Sequence, residues 1–135
     1  MNTLKKGDSL PNFECLNDKG NLVKSNDYKG KKLIVFFYPR ANTPGCTAEA
    51  CNLSENFDDL TKKGYSILGI SCDKVETQSK FSNKFSLKYP LLADTDKNLV
   101  KLFGVWGPKK FMGREYEGIH RMTFIFDENS VVSRV

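Results

Sequence analysis

An unbroken apolar run, residues 33–38, constrains the fold more than any other feature of the sequence. Its β-branched and aromatic side chains show no polar alternation, so we predict a strand buried on both faces over residues 32–38. A second run of the same kind predicts another buried strand over residues 65–71. Strands of this type lie in sheets covered by helices, which favours helical crossover connections between them.

Helical patterns occupy the segments that follow these strands. Apolar side chains at a spacing close to 3.6 residues predict one helix over residues 47–63, which Gly64 ends, and a second helix over residues 75–85. The alternation predicts an α/β domain with a mixed central sheet, and it leaves thioredoxin-like and flavodoxin-like winding open. The remaining predicted elements are an N-terminal β-hairpin of residues 13–16 and 21–24 turning at Gly20, a strand over 91–93, a helix over 98–103 capped by Asp96, and a closing hairpin of residues 121–126 and 131–135.

Length and composition narrow the class of protein. A chain of 135 residues fits a single domain, residues 1–135. The longest apolar run is far shorter than the roughly 18 residues that a membrane span needs, and the N-terminus shows no apolar signal region, so we expect a cytoplasmic protein without membrane contact. The net charge is +5, but the lysines form separated doublets, which argues against a nucleic-acid surface.

The segment after the first buried strand holds the residues most informative about chemistry. Structural disulfides are rare in the cytoplasm, so Cys46 and Cys51 are more typical of a catalytic, redox-active or metal-binding pair. Cys46 falls between the predicted strand and the start of the predicted helix, where unpaired N–H groups and the positive end of the helix dipole favour a thiolate. Thr43 is positioned to bring a hydroxyl near the sulfur, and Pro39 stiffens the loop.

The spacing of Cys46 and Cys51 limits how they can react with each other. In an intact helix, five residues correspond to about 7.5 Å of axial rise and leave the two side chains about 140° apart. A disulfide needs Cα atoms within about 7 Å and converging side chains. A bond between these cysteines therefore requires the first helical turns to unwind.

The sequence around Cys46 resembles a known active-site signature. The motif Pro39-x-x-x-Thr43-x-x-Cys46 is similar to that of the peroxiredoxins, and the longer string FYPRANTPGCTAEAC resembles their bacterioferritin-comigratory, or Q-type, subfamily. The likeness continues downstream in residues 105–110 and 118–127. It implies a thioredoxin-like fold and thiol peroxidase activity.

The resemblance also implies the cycle and its residues. Cys46 would be the peroxidatic cysteine, oxidised by hydrogen peroxide or an organic hydroperoxide without a metal or organic cofactor. Cys51 would be the resolving cysteine, forming an intramolecular disulfide that thioredoxin or a similar dithiol reduces. The other implied site residues are Thr43, which would hydrogen-bond the sulfur and the peroxide, Pro39, which would shield the thiolate, and Arg121, the active-site arginine.

Other interpretations of the same residues stay open. A thioredoxin-like disulfide exchanger is expected to carry Cys-x-x-Cys, whereas this chain has Cys-x-x-x-x-Cys. A metal-binding module is disfavoured because the four cysteines and His120 are scattered along the chain. Cys15 and Cys72 are interpreted as structural, with Cys72 as the alternative resolving cysteine. Glu49 either orients Arg121 or only favours the helix N-terminus by its charge.

The end of the sequence departs from the family that it resembles. Members of that family continue past the last strand into a C-terminal helix of roughly five turns, and this sequence ends at Val135 without it. We therefore expect one face of the sheet to lack the cover of that helix. An uncovered apolar face favours self-association, so we expect a monomer or a weak homodimer.

Overall fold

A five-stranded mixed sheet forms the centre of the computed structural model, which describes residues 2–135. In spatial order its strands are β5 (Leu91–Ala93), β4 (Tyr65–Ser71), β3 (Lys32–Phe37), β8 (Met122–Phe126) and β9 (Val132–Arg134). β3 pairs in parallel with β4 and antiparallel with β8, and β4 pairs in parallel with β5. The predicted α/β class with a mixed central sheet is confirmed.

β3 is buried on both faces, as its continuous apolar sequence predicts. Phe36 and Phe37 are both fully buried, and they point to opposite faces because side chains alternate along a strand. Phe37 packs with Phe103 and Phe124 on one face, whereas Phe36 packs with Tyr89 on the other. The sheet therefore separates two apolar cores.

Three helices cover the Phe36 face of the sheet. The predicted helix over residues 75–85 is confirmed. The prediction of a single helix over residues 47–63 is wrong about where the helix begins and about its continuity. The first helix begins earlier, because a proline at its first position loses only an N–H that would be unpaired there. It breaks at Asn56, whose side-chain amide donates to the carbonyl of Asn52 at 2.8 Å. The three helices are α1 (Pro44–Glu55), α2 (Phe57–Lys62) and α3 (Val75–Phe85).

The opposite face is covered by the short helix α4 (Asn98–Leu102). Its start depends mainly on Asp94 rather than on the predicted cap Asp96. The buried carboxylate of Asp94 accepts the N–H groups of Leu99 at 3.0 Å and Val100 at 2.9 Å, whereas Asp96 accepts one N–H from an exposed position. Within residues 2–135, no helix is long and apolar enough to cross a membrane.

The two predicted hairpins are both present. β1 (Glu14–Leu16) pairs antiparallel with β2 (Leu22–Lys24), and Gly20 in their turn has the positive φ of 76° that suits a glycine. β8 and β9 form the closing hairpin at the edge of the central sheet.

A third hairpin is absent from the sequence prediction. It consists of β6 (Trp106–Phe111) and β7 (Arg114–Ile119), and Pro108 with the adjacent lysines hides its strand pattern. Its turn residues Met112 and Gly113 have φ values of 51° and 77°, which is the backbone of a two-residue hairpin turn. This hairpin stands beside the segment that carries Cys46.

Candidate active site

Cys46 lies in the first turn of α1, directly after the loop that leaves β3. The helix begins at Pro44, so Cys46 is its third residue and its own N–H has no intrahelical partner. The side chain is 1% exposed. The expected position at a strand-to-helix junction is therefore found, with Cys46 inside the helix rather than before it. The positive end of the helix dipole lies at this turn and favours negative charge there.

Arg121 contacts the sulfur of Cys46. Its Nη2 donates to Sγ at 3.1 Å. Glu49, one turn after Cys46 on α1, places Oε2 3.5 Å from Nη1 of the same guanidinium. The second oxygen of Glu49 accepts the hydroxyl of Thr123 at 3.0 Å. Glu49 thus contacts Arg121, and its role in orienting the guanidinium stays a prediction.

Two residues of this cluster were missed in the sequence. Gly45 lies against the guanidinium, and a Cβ added there would be 3.3 Å from Nη2 of Arg121. Glycine is unfavourable inside a helix, so its presence in the first turn is a signal of close approach. Thr123 follows Arg121 by two residues, and strand periodicity therefore puts both side chains on the same face of the sheet.

Thr43, directly before α1, and Pro39, in the loop after β3, do not hydrogen-bond the sulfur of Cys46. The hydroxyl of Thr43 donates to the carbonyl of Arg40 at 3.3 Å. Thr43 and Pro39 line a groove of about 680 Å³, and the hairpin residues Trp106 and Tyr116 form its opposite wall. The expected roles of Thr43 and Pro39 toward a peroxide stay predictions, and the groove gives an approach to the loop from solvent.

A carboxylate at the end of β4 anchors the loop before Cys46. Oδ2 of Asp73 accepts the N–H of Ala41 at 2.7 Å and the hydroxyl of Ser71 at 2.6 Å. Asp73 was missed in the sequence analysis. Asp73 follows the end of β4 by two residues. Since the parallel strand β3 ends at the same edge of the sheet, this position could have predicted a contact with the loop after β3.

Cys51 lies in the same helix as Cys46, five residues later, and is half-buried. The helix between them is continuous, so the geometric obstacle predicted from their spacing is present. All four cysteines, Cys15 and Cys72 included, are free thiols. A bond between Cys46 and Cys51 thus needs a change in α1.

Cys15 and Cys72 lie outside the arginine cluster. The thiol of Cys15 donates to the carbonyl of Ala93 at 3.4 Å, and burial, with Asp94 adding to it, raises the pKa of Cys15 to about 12. Burial and Asp94 also raise the pKa of Cys72 to about 12. Both groups are therefore protonated at neutral pH and are poor nucleophiles. Cys72 nevertheless lines the groove beside Pro39.

His120 supports the hairpin rather than the cysteine. Its Nε2 lies 3.0 Å from the carbonyl oxygen of Pro108, and its backbone N–H donates to the carbonyl of Val105 at 2.7 Å. These contacts connect the β6–β7 hairpin to the segment that leads into Arg121.

Comparisons with known proteins show the family to which the chain belongs. Residues 6–135 match the model of the AhpC/TSA family. Over 135 residues the chain is 46% identical to Peroxiredoxin Bcp of Escherichia coli strain K12, an alignment that covers all of this chain and 86% of that protein. A mutant PrxQ of Xylella fastidiosa superimposes with a TM-score of 0.93 at 26% identity, covering 99% of this chain and 86% of that one. A mutant Peroxiredoxin Q of Xanthomonas campestris superimposes with a TM-score of 0.86 at 31% identity, covering 90% and 78%.

The central sheet thus has the thioredoxin-like winding of the peroxiredoxin structures, which decides the alternative that the pattern of strands and helices left open. The chain belongs to the AhpC/TSA family and, within it, to the peroxiredoxins of the Bcp, or Q, type, a group of thiol peroxidases.

Replacement of Arg121 by methionine tests the electrostatic part of the site. We expect Arg121→Met to slow the reaction of Cys46 with peroxide by at least about tenfold, because a positioned cationic donor is lost next to the reacting sulfur. The rate is measured by rapid mixing of the reduced protein with hydrogen peroxide, followed as loss of the free Cys46 thiol. Arg114→Met, on the exposed hairpin, is the control. A rate of reaction with peroxide that is the same in both variants and the wild type would show that Arg121 does not act on the sulfur.

Proposed function

We propose that the protein reduces hydrogen peroxide and organic hydroperoxides through Cys46, forms an intramolecular Cys46–Cys51 disulfide, and is regenerated by thioredoxin or a similar dithiol. The contact that carries the proposal is the 3.1 Å hydrogen bond from Arg121 to Sγ of Cys46. A guanidinium at this distance, together with the first turn of α1, favours a thiolate that is ready to attack. The family of thiol peroxidases to which the chain belongs supports the same chemistry.

In the first step the Cys46 thiolate attacks one oxygen of the peroxide. An S–O bond forms, the O–O bond breaks, and the sulfur is oxidised to a sulfenic acid. The other oxygen leaves as hydroxide or alkoxide and takes up a proton to give water or an alcohol. Negative charge moves from the sulfur toward the leaving oxygen, so the guanidinium of Arg121 stabilises the transition state. Thr43 is proposed to donate its hydroxyl to the sulfur and the peroxide once substrate enters the groove.

Glu49 and Pro39 are proposed to support this step without reacting themselves. The carboxylate of Glu49, held by Thr123, fixes the guanidinium in position over the sulfur. Pro39 has no N–H and a restricted φ, which stiffens the loop and shields the thiolate on the groove side. Both are positioning roles, since neither residue exchanges a proton or a bond with the peroxide.

In the second step Cys51 attacks the sulfenic acid of Cys46. An S–S bond forms and water leaves, so the pair is oxidised and protected from a second peroxide. Since α1 separates the two sulfurs, its first turns unwind before this bond can form. A dithiol reductant then reduces the disulfide by exchange and becomes oxidised itself. Both cysteines come from one chain, so the proposed cycle needs no second subunit.

The decisive test of peroxidase activity is Cys46→Ser. We expect it to abolish peroxide consumption in the presence of thioredoxin, thioredoxin reductase and NADPH, because the nucleophile is lost. Cys15→Ser, a buried thiol away from Arg121, is the matched control and should retain turnover. Circular dichroism establishes that both variants are folded. Near wild-type consumption by folded Cys46→Ser would contradict the proposal.

The identity of the resolving cysteine is tested by comparing Cys51→Ser with Cys72→Ser. We expect Cys51→Ser to consume one equivalent of peroxide and then stop as a sulfenic acid that over-oxidises, because no disulfide is available to thioredoxin. Cys72→Ser should turn over normally. Peptide mass mapping of the oxidised wild type should give a Cys46–Cys51 linkage. A Cys46–Cys72 linkage, or one between two chains, would refute the role of Cys51 and leave that of Cys46 standing.

A further inference from the structure

A buried tyrosine contacts α1 next to Cys51. Tyr89 lies in the segment between α3 and β5, and it is 3% exposed. Its hydroxyl donates to the carbonyl of Ala50 at 2.7 Å. The ring packs edge-on against Phe36 of β3, with 5.7 Å between ring centroids. The phenol is therefore held by the sheet on one side and binds the helix on the other.

The neighbouring residue contacts α1 on the far side of Cys51. The backbone N–H of Lys88 donates to the hydroxyl of Ser54 at 3.2 Å. Residues 88 and 89 thus bind α1 through Ala50 and Ser54, which bracket Cys51 in the sequence. The segment itself is fixed at its other end, because the carbonyl of Pro90 accepts the N–H of Gly69 in β4 at 3.2 Å.

These contacts act on the part of α1 that has to move in the proposed cycle. Formation of the Cys46–Cys51 disulfide draws residues 46–51 out of the helix, and the carbonyl of Ala50 leaves its place as they move. The break at Asn56 ends α1 before α2, so α1 can open without unwinding the helix that follows. The hydrogen bond from Tyr89 is lost when α1 opens.

We propose that Tyr89 is a positioning residue that holds Cys51 in α1 and thereby sets the balance between disulfide formation and over-oxidation of Cys46. This inference rests on the proposed Cys46–Cys51 disulfide. The sulfenic acid has two fates: attack by Cys51, which releases water, or attack on a second peroxide, which gives the sulfinic acid. Because only the open helix allows the first fate, a tighter closed helix lengthens the time in which the second can occur.

The hydroxyl of Tyr89 stays protonated and can donate its hydrogen bond throughout the proposed cycle. Burial is the main cause that raises the pKa of Tyr89, and the nearby Cys51 and Glu49 raise it further. The phenol therefore keeps its proton at neutral pH, and the contact with Ala50 persists as long as α1 is folded.

Tyr89→Phe isolates the contact, since it removes one hydroxyl and keeps the ring against Phe36. In single-turnover experiments with acid quench and mass spectrometry, the first oxidation of Cys46 is expected to keep the wild-type rate. Disulfide formation is expected to accelerate roughly two- to tenfold, the effect of one neutral hydrogen bond on an equilibrium constant. The yield of sulfinic acid at high peroxide is expected to fall correspondingly. Ser54→Ala, which removes the adjacent contact, should shift both quantities in the same direction.

Tyr28→Phe is the control, because Tyr28 packs on the opposite face of the sheet from α1. It should leave the ratio of disulfide to sulfinic acid unchanged. An equal change in this ratio in both variants would mean that general destabilisation, and not the contact with Ala50, causes the effect. If wild type and Tyr89→Phe form the Cys46–Cys51 disulfide at the same rate with equal over-oxidation, the role of Tyr89 is refuted and the proposed cycle stands. If the wild type forms no such disulfide, both the cycle and the role of Tyr89 are refuted.

Discussion

The pairing of β3 with β8 creates the contact on which the site depends. Their antiparallel register sets Phe37, at the end of β3, opposite Met122, at the start of β8. A loop of residues 38–43 leads from the first of these residues into α1, and Arg121 directly precedes the second. Cys46 and Arg121, 75 residues apart in sequence, therefore meet at one edge of the sheet with 3.1 Å between Nη2 and Sγ. Gly45, Glu49 and Thr123 surround this contact, since Gly45 and Glu49 lie against the guanidinium and Thr123 donates to Glu49.

The same helix that favours the reactive form of Cys46 keeps Cys51 away from it. The positive end of the dipole of the folded helix favours negative charge at its first turn, whereas disulfide formation requires that turn to unwind. The proposed reaction with peroxide and the proposed resolution by Cys51 thus favour different states of α1. In the folded state, Tyr89 binds α1 at Ala50 and Asp73 binds the loop before Cys46 at Ala41.

Local patterns account for what could be predicted from the sequence. The strands β3 and β4 and the helix α3 have strong periodicity and follow the predicted bounds closely, because burial of their apolar faces decides their structure. The β6–β7 hairpin escaped prediction, since it is largely exposed and no apolar alternation marks it. The pairing of Arg121 with Cys46 was available only through resemblance to a family. The contacts of Asp73 and Tyr89 join residues 32 and 39 positions apart, and no local pattern encodes such pairs.

Hydrogen–deuterium exchange of the reduced and peroxide-oxidised protein tests most directly whether α1 must open. After one equivalent of peroxide, with the Cys46–Cys51 linkage verified by mass mapping, exchange should rise in peptides of α1. Peptides of α2 and α3 should keep the exchange of the reduced protein, because the break at Asn56 separates them from the opening. A disulfide-linked protein in which α1 stays as protected as in the reduced state would contradict the account.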